Sequence, residues 1–308
     1  MDLLSEVLAV SGVRGVVGTQ LQAGQDWGYW FASQAPRAAL HAVTSGTAWL
    51  GLPGQPPLQL MPGDVVLLPD GAEHVLGSGA EAVSRTGPRS YDDWHTTGSG
   101  AVRIGAEPVR AHILCAHYGH DAAVSTQVLA SLPSLLHLRS SPDGGQLEDT
   151  VRLLGRELAR PQIATSIVLE RLVDVLLVQA LREWLAGNPV REPCWLGVLC
   201  DDIVAAAATL LHSNPARAWT AGVLAREIGV SRSTLSRRFA VVTGETPGTY
   251  LTRWRMDLAA RRLRDTDDSL EAVAHSVGYT SVYAFSRAFS RLRSEPPGQY
   301  RTRARSVA

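Results

Sequence analysis

Arg232, Ser233, Ser236, Arg237 and Arg238 fall within one short stretch of a 308-residue chain, with Leu235 and Phe239 among them at the spacing of a buried helical face. Setting those two apolar residues inward leaves Arg232, Ser233, Ser236 and Arg237 outward. Arginine grips guanine bidentately, and serine bonds to base or phosphate, so these are groove-reading residue types. Arg232 and Arg238 are expected to touch phosphate, which positions a protein without specifying sequence. Further on, Ser281, Val282, Tyr283, Ser286 and Arg287 flank Phe285 and Phe289 in the same way. Val282 and Tyr283 read base edges poorly, although valine can touch a thymine methyl, so the second set is expected to discriminate bases less.

Rigid helices must aim such side chains, and the sequence supplies them twice. In the first copy Ala225 precedes Gly229 by four residues and Leu235, Arg237 and Phe239 follow; in the second Ala274 precedes Gly278 by four, and Phe285, Arg287 and Phe289 follow. The copies are offset by 49 residues up to the glycine and by 50 after it. Each reads as helix, tight turn, helix. The small alanine lets two helices cross closely, and glycine accepts the left-handed backbone that ends the first. Ser231 and Ser281 are placed as N-caps of the second helices. A connecting helix is expected from Pro247, a favoured first-turn residue, to about Asp265. Its length of roughly 27 Å suits two recognition helices in successive major-groove segments on one face of duplex DNA.

The doubled pattern, the RWRMDLAARRL helix between the copies and the closing GYTSVYAFSRAF…P…YR resemble the AraC/XylS class of bacterial transcription regulators. The resemblance covers about 100 residues and implies a tandem helix-turn-helix domain with double-stranded DNA as partner. One departure is Ser294, where that class usually carries a glycine before its closing proline segment.

Charge agrees with this division. The chain has no lysine and no net charge, yet from residue 217 onward 16 arginines face 8 acids, while residues 1–216 hold 13 arginines and 21 acids. A basic module is therefore joined to an acidic one. Cys115, Cys194 and Cys200 make neither an even framework nor a CxxC pair, which favours a reducing compartment. The N-terminal MDLLSEVLAV carries acids where a signal peptide needs positive charge. Glu170, Arg171, Asp174 and Arg182 interrupt the apolar stretch Ile167–Leu185 too often for a membrane span. A cytoplasmic protein, nucleoid-associated through its DNA and with no membrane partner, is expected.

Residues 1–185 read differently. Leu3–Val10 suggests a short amphipathic helix and Val13–Leu21 a strand; short apolar runs between Gly- and Pro-rich turns then suggest a sandwich or barrel, closed by a last strand at Val109–Tyr118. The run Gly63-Asp64-Val65-Val66-Leu67-Leu68-Pro69-Asp70-Gly71-Ala72-Glu73-His74 resembles the second cupin motif, in which a strand rises, turns at Pro69–Gly71 and re-enters with His74 aimed across the barrel mouth. Cupin-like barrels are also the effector domains of many AraC-like regulators. His41 stands five residues before Gly46, near the first cupin motif, but the usual HxH pair upstream of it is missing. His41 and His74 are therefore candidate effector-binding residues. They are also candidate ligands of a single metal ion shared with His112, His117 or Glu73, or else plain barrel-mouth histidines paired to backbone. Cys115, with His112, His117 and His120 nearby, is a candidate redox sensor or an inert small hydrophobe.

Two helices are expected next, Leu147–Leu158 and Ser166–Leu185, the second apolar over more than one face. That width suits either packing on the barrel or a homodimer seam. Ala186–Trp195 reads as a linker, and residues 196–308 as the DNA-binding domain. The fold class is thus α+β in two domains: a cupin-like β-barrel with dimerisation helices, then an all-α tandem helix-turn-helix. The function read from it is a sequence-specific DNA-binding regulator of transcription responding to a small-molecule or redox effector, with RNA polymerase as partner if it activates. The alternative is a cupin metalloenzyme, dioxygenase-like, fused to a helical DNA-binding module.

Overall fold

The structure, a computed structural model, describes residues 2–33, 37–85, 94–96 (backbone only), 101–119, 127–141, 144–188 and 193–306. The chain divides into two compact units. One comprises Arg14–Gly119 with Leu132–Pro189, and the other Met1–Val13 with His120–Ser131 and Val190–Ala308.

The first unit is β-rich. Its strands are β1 (Arg14–Gln25), β2 (Gly28–Phe31), β3 (Ala38–Ser45), β4 (Ala48–Gly51), β5 (Leu58–Leu60), β6 (Val65–Leu68), β7 (His74–Gly77), β8 (Trp94–Thr96), β9 (Ala101–Ile104), β10 (Ala106–Gly119) and β11 (Leu136–Leu138). Among the described residues they form a seven-stranded sheet, β11-β6-β3-β10-β1-β9-β8, and a four-stranded one, β2-β7-β4-β5. One core joins the two: Leu21, Val43, Val66 and Ile113 of the larger sheet cluster with Leu50, Leu60 and Leu76 of the smaller. This is a cupin-like sheet domain. The expected rise and turn are present, with β6 ending at Leu68 and Gly71 (φ 61°) donating its N–H back to the Leu68 carbonyl at 3.1 Å. Gly46 (φ 70°) also has a steric reason, since a Cβ there would lie 1.9 Å from the Arg110 carbonyl oxygen.

Among the described residues, three helices belong to this unit: α2 (Ala80–Arg85) and the pair that was expected, α4 (Gln146–Ala159) and α5 (Thr165–Gly187). α5 lies directly on β1 because Gly15 leaves it room; a Cβ there would sit 2.4 Å from Val173. The Gly15 N–H donates to Asp174 at 2.7 Å, and the Tyr118 hydroxyl donates to the Val173 carbonyl at 2.7 Å. Leu169, Val173, Leu176, Leu177, Ala180 and Leu181 form the buried face of α5. What remains apolar and exposed is a narrower stripe: Ile163, Ile167, Val168 and Val175, with Leu153 of α4.

The second unit is helical: α1 (Leu3–Ser11), α3 (Gln127–Ala130), a 3-10 turn at Trp195–Cys200, α6 (Asp202–Ser213), α7 (Ala221–Glu227), α8 (Arg232–Thr243), α9 (Pro247–Asp265), α10 (Leu270–Ser276), α11 (Val282–Arg293) and α12 (Pro297–Ser306). The sequence repeat is a structural repeat. Thr220 and Ser269 cap α7 and α10, and Ser231 and Ser281 cap α8 and α11. The turns hold Gly229 (φ 72°) and Gly278 (φ 83°), and Tyr250 and Tyr300 are both buried. The buried pair Asp257–Arg293 ties α9 to α11.

The first thirteen residues group with the helical unit, where α1 buries Leu3, Val7 and Val10. The segment read as a linker from Ala186 to Trp195 is helical to Gly187 and enters the 3-10 turn at Trp195, while its residues 189–192 lie outside the described residues.

Candidate nucleic-acid interface

The two second helices present the residues that the spacing pointed to. On α8, Leu235 and Phe239 are fully buried, while Arg232, Ser233, Arg237 and Arg238 are exposed and Ser236 is half-buried. On α11, Phe285 and Phe289 are buried, Tyr283 and Arg287 are exposed, and Val282 and Ser286 are half-buried. Ser231 and Ser281 are spent on the helix ends, accepting the N–H groups of Thr234 at 3.1 Å and Ala284 at 3.4 Å. α9 holds the two hairpins apart; its 19 residues at 1.5 Å each give about 28 Å.

The arginines divide by partner. Arg217 pairs with Glu227, Arg253 with Glu245, Arg262 with Asp268 and Arg305 with Asp267. Arg255 donates to the carbonyls of Pro215 and Arg217. By contrast, the side chains of Arg226, Arg232, Arg237 and Arg291 make no ion pair or hydrogen bond among the described residues, and Arg287 only lies over the Tyr283 ring at 5.7 Å. Positive charge left unneutralised by the fold therefore concentrates on the two second helices. Arg238, expected at phosphate, is half-exposed and also reaches Asp201 at 3.1 Å, the carboxylate that caps α6 by accepting from Ile203 and Val204. An arginine committed to a helix-capping carboxylate is a tie between α8 and α6.

In the β-rich unit, His41 on β3 and His74 at the start of β7 meet, Nε2 to Nε2, at 2.7 Å, and both are buried. Tautomers follow from the neighbours. The Ala72 carbonyl can only accept, so His74 Nδ1, 2.7 Å from it, is the donor. Neutral His74 then accepts at Nε2 from the His41 Nε2–H, which leaves His41 Nδ1 a bare acceptor, buried and without a partner. Burial holds both rings neutral, pushing the His41 pKa well below its ordinary value, with His74 adding to the effect, and the His74 pKa down to about 4. Phe31, paired with His74 across β2 and β7, stacks on its ring at 4.7 Å and 8°.

This arrangement does not fit a shared metal. Two nitrogens on one tetrahedral ion at about 2.0–2.1 Å stand roughly 3.3 Å apart, whereas these share a hydrogen bond. No third ligand joins them, because no group of three His, Cys, Asp or Glu side chains able to hold an ion occurs among the described residues. His112 instead faces the Ser45 hydroxyl at 2.9 Å, and His120 lies outside the described residues. Cys115, opposite His41 across β10 and β3, is buried in the core, and burial pushes its thiol far above the ordinary range. A redox-sensing thiol needs the reverse, an accessible sulfur with a depressed pKa. Cys115 packs here among the core hydrophobics.

Comparison with known proteins then decides the family. Residues 2–186 match a family model described as Cupin, and residues 224–303 one described as Helix-turn-helix domain. An AraC-like transcription regulator of Streptomyces lividans is 35% identical over 308 residues, covering 98% of each chain.

The chain belongs to the AraC family of transcription regulators.

A second AraC-like regulator, from Streptomyces antibioticus, is 34% identical over 304 residues and 98% of each chain, and the HTH-type regulator AlkR of Acinetobacter baylyi is 26% identical over 315 residues. In this AraC-family chain the tandem hairpins are the DNA-binding module, and double-stranded DNA is its partner. None of the described helices is long and apolar enough to cross a membrane. Two features of the AraC-family module went unread in the sequence. Arg226 and Arg291 were not singled out, although Arg291 stands one turn beyond Arg287 on the same face. The other is α1, whose docking has no local signal.

Proposed function

We propose that this AraC-family protein is a non-catalytic, effector-responsive regulator that binds specific DNA sites as a homodimer in the cytoplasm. The observation that carries the reading is the pair of exposed second helices, each with arginines that the fold leaves unpaired. On α8, Arg237, Ser233 and Ser236 read base edges, and Arg232 holds phosphate. On α11, Val282, Tyr283, Ser286 and Arg287 follow the next groove segment, with Ser231 and Ser281 fixing both helix ends. Where the protein activates, RNA polymerase is the further partner.

The β-rich domain, bounded by residue 185 and joined through residues 186–195 to the DNA-binding domain at 196–308, supplies the sensing surface. His41 and His74 are its effector residues: a small molecule that donates a hydrogen bond would satisfy the bare His41 Nδ1. Such a ligand changes DNA binding only if it favours one dimer arrangement over another. The exposed stripe of Leu153, Ile163, Ile167, Val168 and Val175 supports a dimer seam on α4 and α5. Leu176 is fully buried and so is no place to test that seam. Charged residues at Ile167 and Val175 should give a folded monomer by light scattering, and a double variant that stays dimeric would refute the seam.

The reading as a whole is tested by footprinting full-length protein on chromosomal DNA beside its gene. Protection of two major-groove segments per subunit, altered by a metabolite, is expected; featureless protection of all DNA would contradict a specific regulator.

A further inference from the structure

On the outer face of the four-stranded sheet a pocket of about 290 Å³ opens between α2 and the loop from β4 to β5. Strand alternation puts it there. Tyr29 and Phe31 pack on the core, so Trp30 between them faces away from it, beside Val75, its partner on β7. α2 lies against the same face because Gly51 and Gly77 carry no side chains; a Cβ on either would meet Val83 at 2.9 Å. Trp30 and Val83 form one side of the pocket, and Pro53 and Pro57 of the loop form the other.

The polar residues on its wall divide by commitment. His74 reaches the pocket, but its ring nitrogens are taken by the Ala72 carbonyl and by His41, and Ser84 donates its hydroxyl to the Ala80 carbonyl. Gln55 and Glu73 are exposed, and their side chains make no ion pair or hydrogen bond among the described residues. Glu73 is the one charged residue on the described wall. Arg85, next to Ser84 in sequence, pairs with Glu81 and does not line the pocket.

We infer that this pocket binds a small organic ammonium ion, with Glu73 as its counter-charge and Trp30 as its aromatic wall. An indole attracts a cation held within about 6 Å of its ring, and a carboxylate beside it supplies the opposite charge. An anionic ligand would instead meet the Glu73 carboxylate with no described base to offset it, and a neutral one would leave that carboxylate unused. The prolines and Val83 cover the carbon skeleton, as the apolar walls of small-molecule sites do. The field of the surrounding module has the same sign, since residues 1–216 hold 21 acids against 13 arginines. His41, whose open Nδ1 is the acceptor for the effector considered above, does not line this pocket. The ammonium site is therefore a second one, on the outside of the sheet, and stands whether or not the histidine pair binds anything.

The test titrates full-length protein at neutral pH with three probes, read by ligand NMR relaxation. Benzylammonium carries the charge; benzyl alcohol and benzoate keep the ring and replace the charged group by a neutral or a negative one. Benzylammonium should bind with a dissociation constant on the order of 1 mM. It should bind about 2–5-fold tighter than the alcohol, the range of an exposed ion pair, and benzoate should bind most weakly. Glu73→Gln should erase the preference for the cation, and Trp30→Leu should weaken benzylammonium about 2–5-fold. Gln55→Trp and Ser84→Trp, both at exposed positions, should fill the pocket and abolish binding without shifting thermal unfolding. A parent protein that binds the alcohol as tightly as benzylammonium, or that does not bind benzylammonium, overturns the inference. So does a cation preference that survives in Glu73→Gln. Binding left unchanged by both tryptophan variants would place the amine elsewhere on the chain and overturn the site.

Discussion

Glu6 and His212, 206 residues apart in sequence, meet at 3.0 Å inside the helical unit. The contact is not an ion pair at neutral pH. Burial pushes the His212 pKa down to about 3 and pushes the Glu6 carboxyl up. A carboxylate only accepts, so neutral His212 donates from Nδ1 to Glu6 and accepts at Nε2 from the Tyr250 hydroxyl at 2.9 Å. Tyr250 in turn accepts from the Trp195 indole at 3.2 Å, and Trp254 stacks on the imidazole at 3.8 Å. One chain of hydrogen bonds thus links α1, the 3-10 turn, α6 and α9.

That chain makes the protein acid-labile. The unfolded imidazole takes a proton near pH 6.5 and the folded one only near 3, so the stability His212 contributes is full above about 6.5 and is lost as pH falls toward 3. The slope is about 1.4 kcal/mol per pH unit for each such histidine, and His74, lowered to about 4, adds its own share. His212→Gln can keep both hydrogen bonds but cannot titrate. Its chemical-denaturation stability should fall less between pH 7 and 5 than the parent's, and an identical loss would contradict the assignment.

Ser294 closes α11 in the left-handed conformation (φ 60°), at the position where the first copy has Gly244 (φ 75°). A side chain there costs about 1–2 kcal/mol, partly offset by glycine's greater freedom when unfolded. Ser294→Gly should therefore stabilise the protein by about 0.5–1 kcal/mol, read as a shift in denaturation midpoint at constant slope. Destabilisation would mean that the serine makes up the strain in some other way.

Much of this module was legible because its determinants are local. Leu235 and Phe239 fall one turn apart and are both buried, Ser231 and Ser281 occupy the caps, and Pro247 and Asp265 bound the connecting helix. The turn at Gly71 and the inward His74 were legible for the same reason. What stayed hidden depends on partners distant in sequence. Nothing near Arg238 announces Asp201, and nothing near Glu6 announces His212. The apolar width of α5 shows that more than one face is covered, but not that Leu176 packs on its own unit while Ile167 and Val175 remain outside.

The cysteines should differ sharply in reactivity. Cys200 is exposed and Cys115 is buried with its thiol pKa raised by burial. Brief alkylation of the native protein, read by mass spectrometry, should label Cys200 well before Cys115, which reacts only on unfolding. Early modification of Cys115 under mild oxidant or alkylating agent would restore the redox-sensor reading.

Arg238 and Arg237 are neighbours with opposite assignments. Arg238→Ala removes a half-exposed pair with Asp201 and should cost about 0.2–1 kcal/mol of stability while leaving base preference intact. Arg237, exposed and unpaired, should show the reverse.

The most direct measurement of the central claim is the affinity of full-length Arg237→Ala for its footprinted site and for single-base variants of that site. The account predicts a loss of about 1–3 kcal/mol on the cognate sequence, relaxed discrimination at one base pair, and unchanged stability. An equal loss on every sequence, with discrimination kept, would contradict the assignment of α8 as the reading helix.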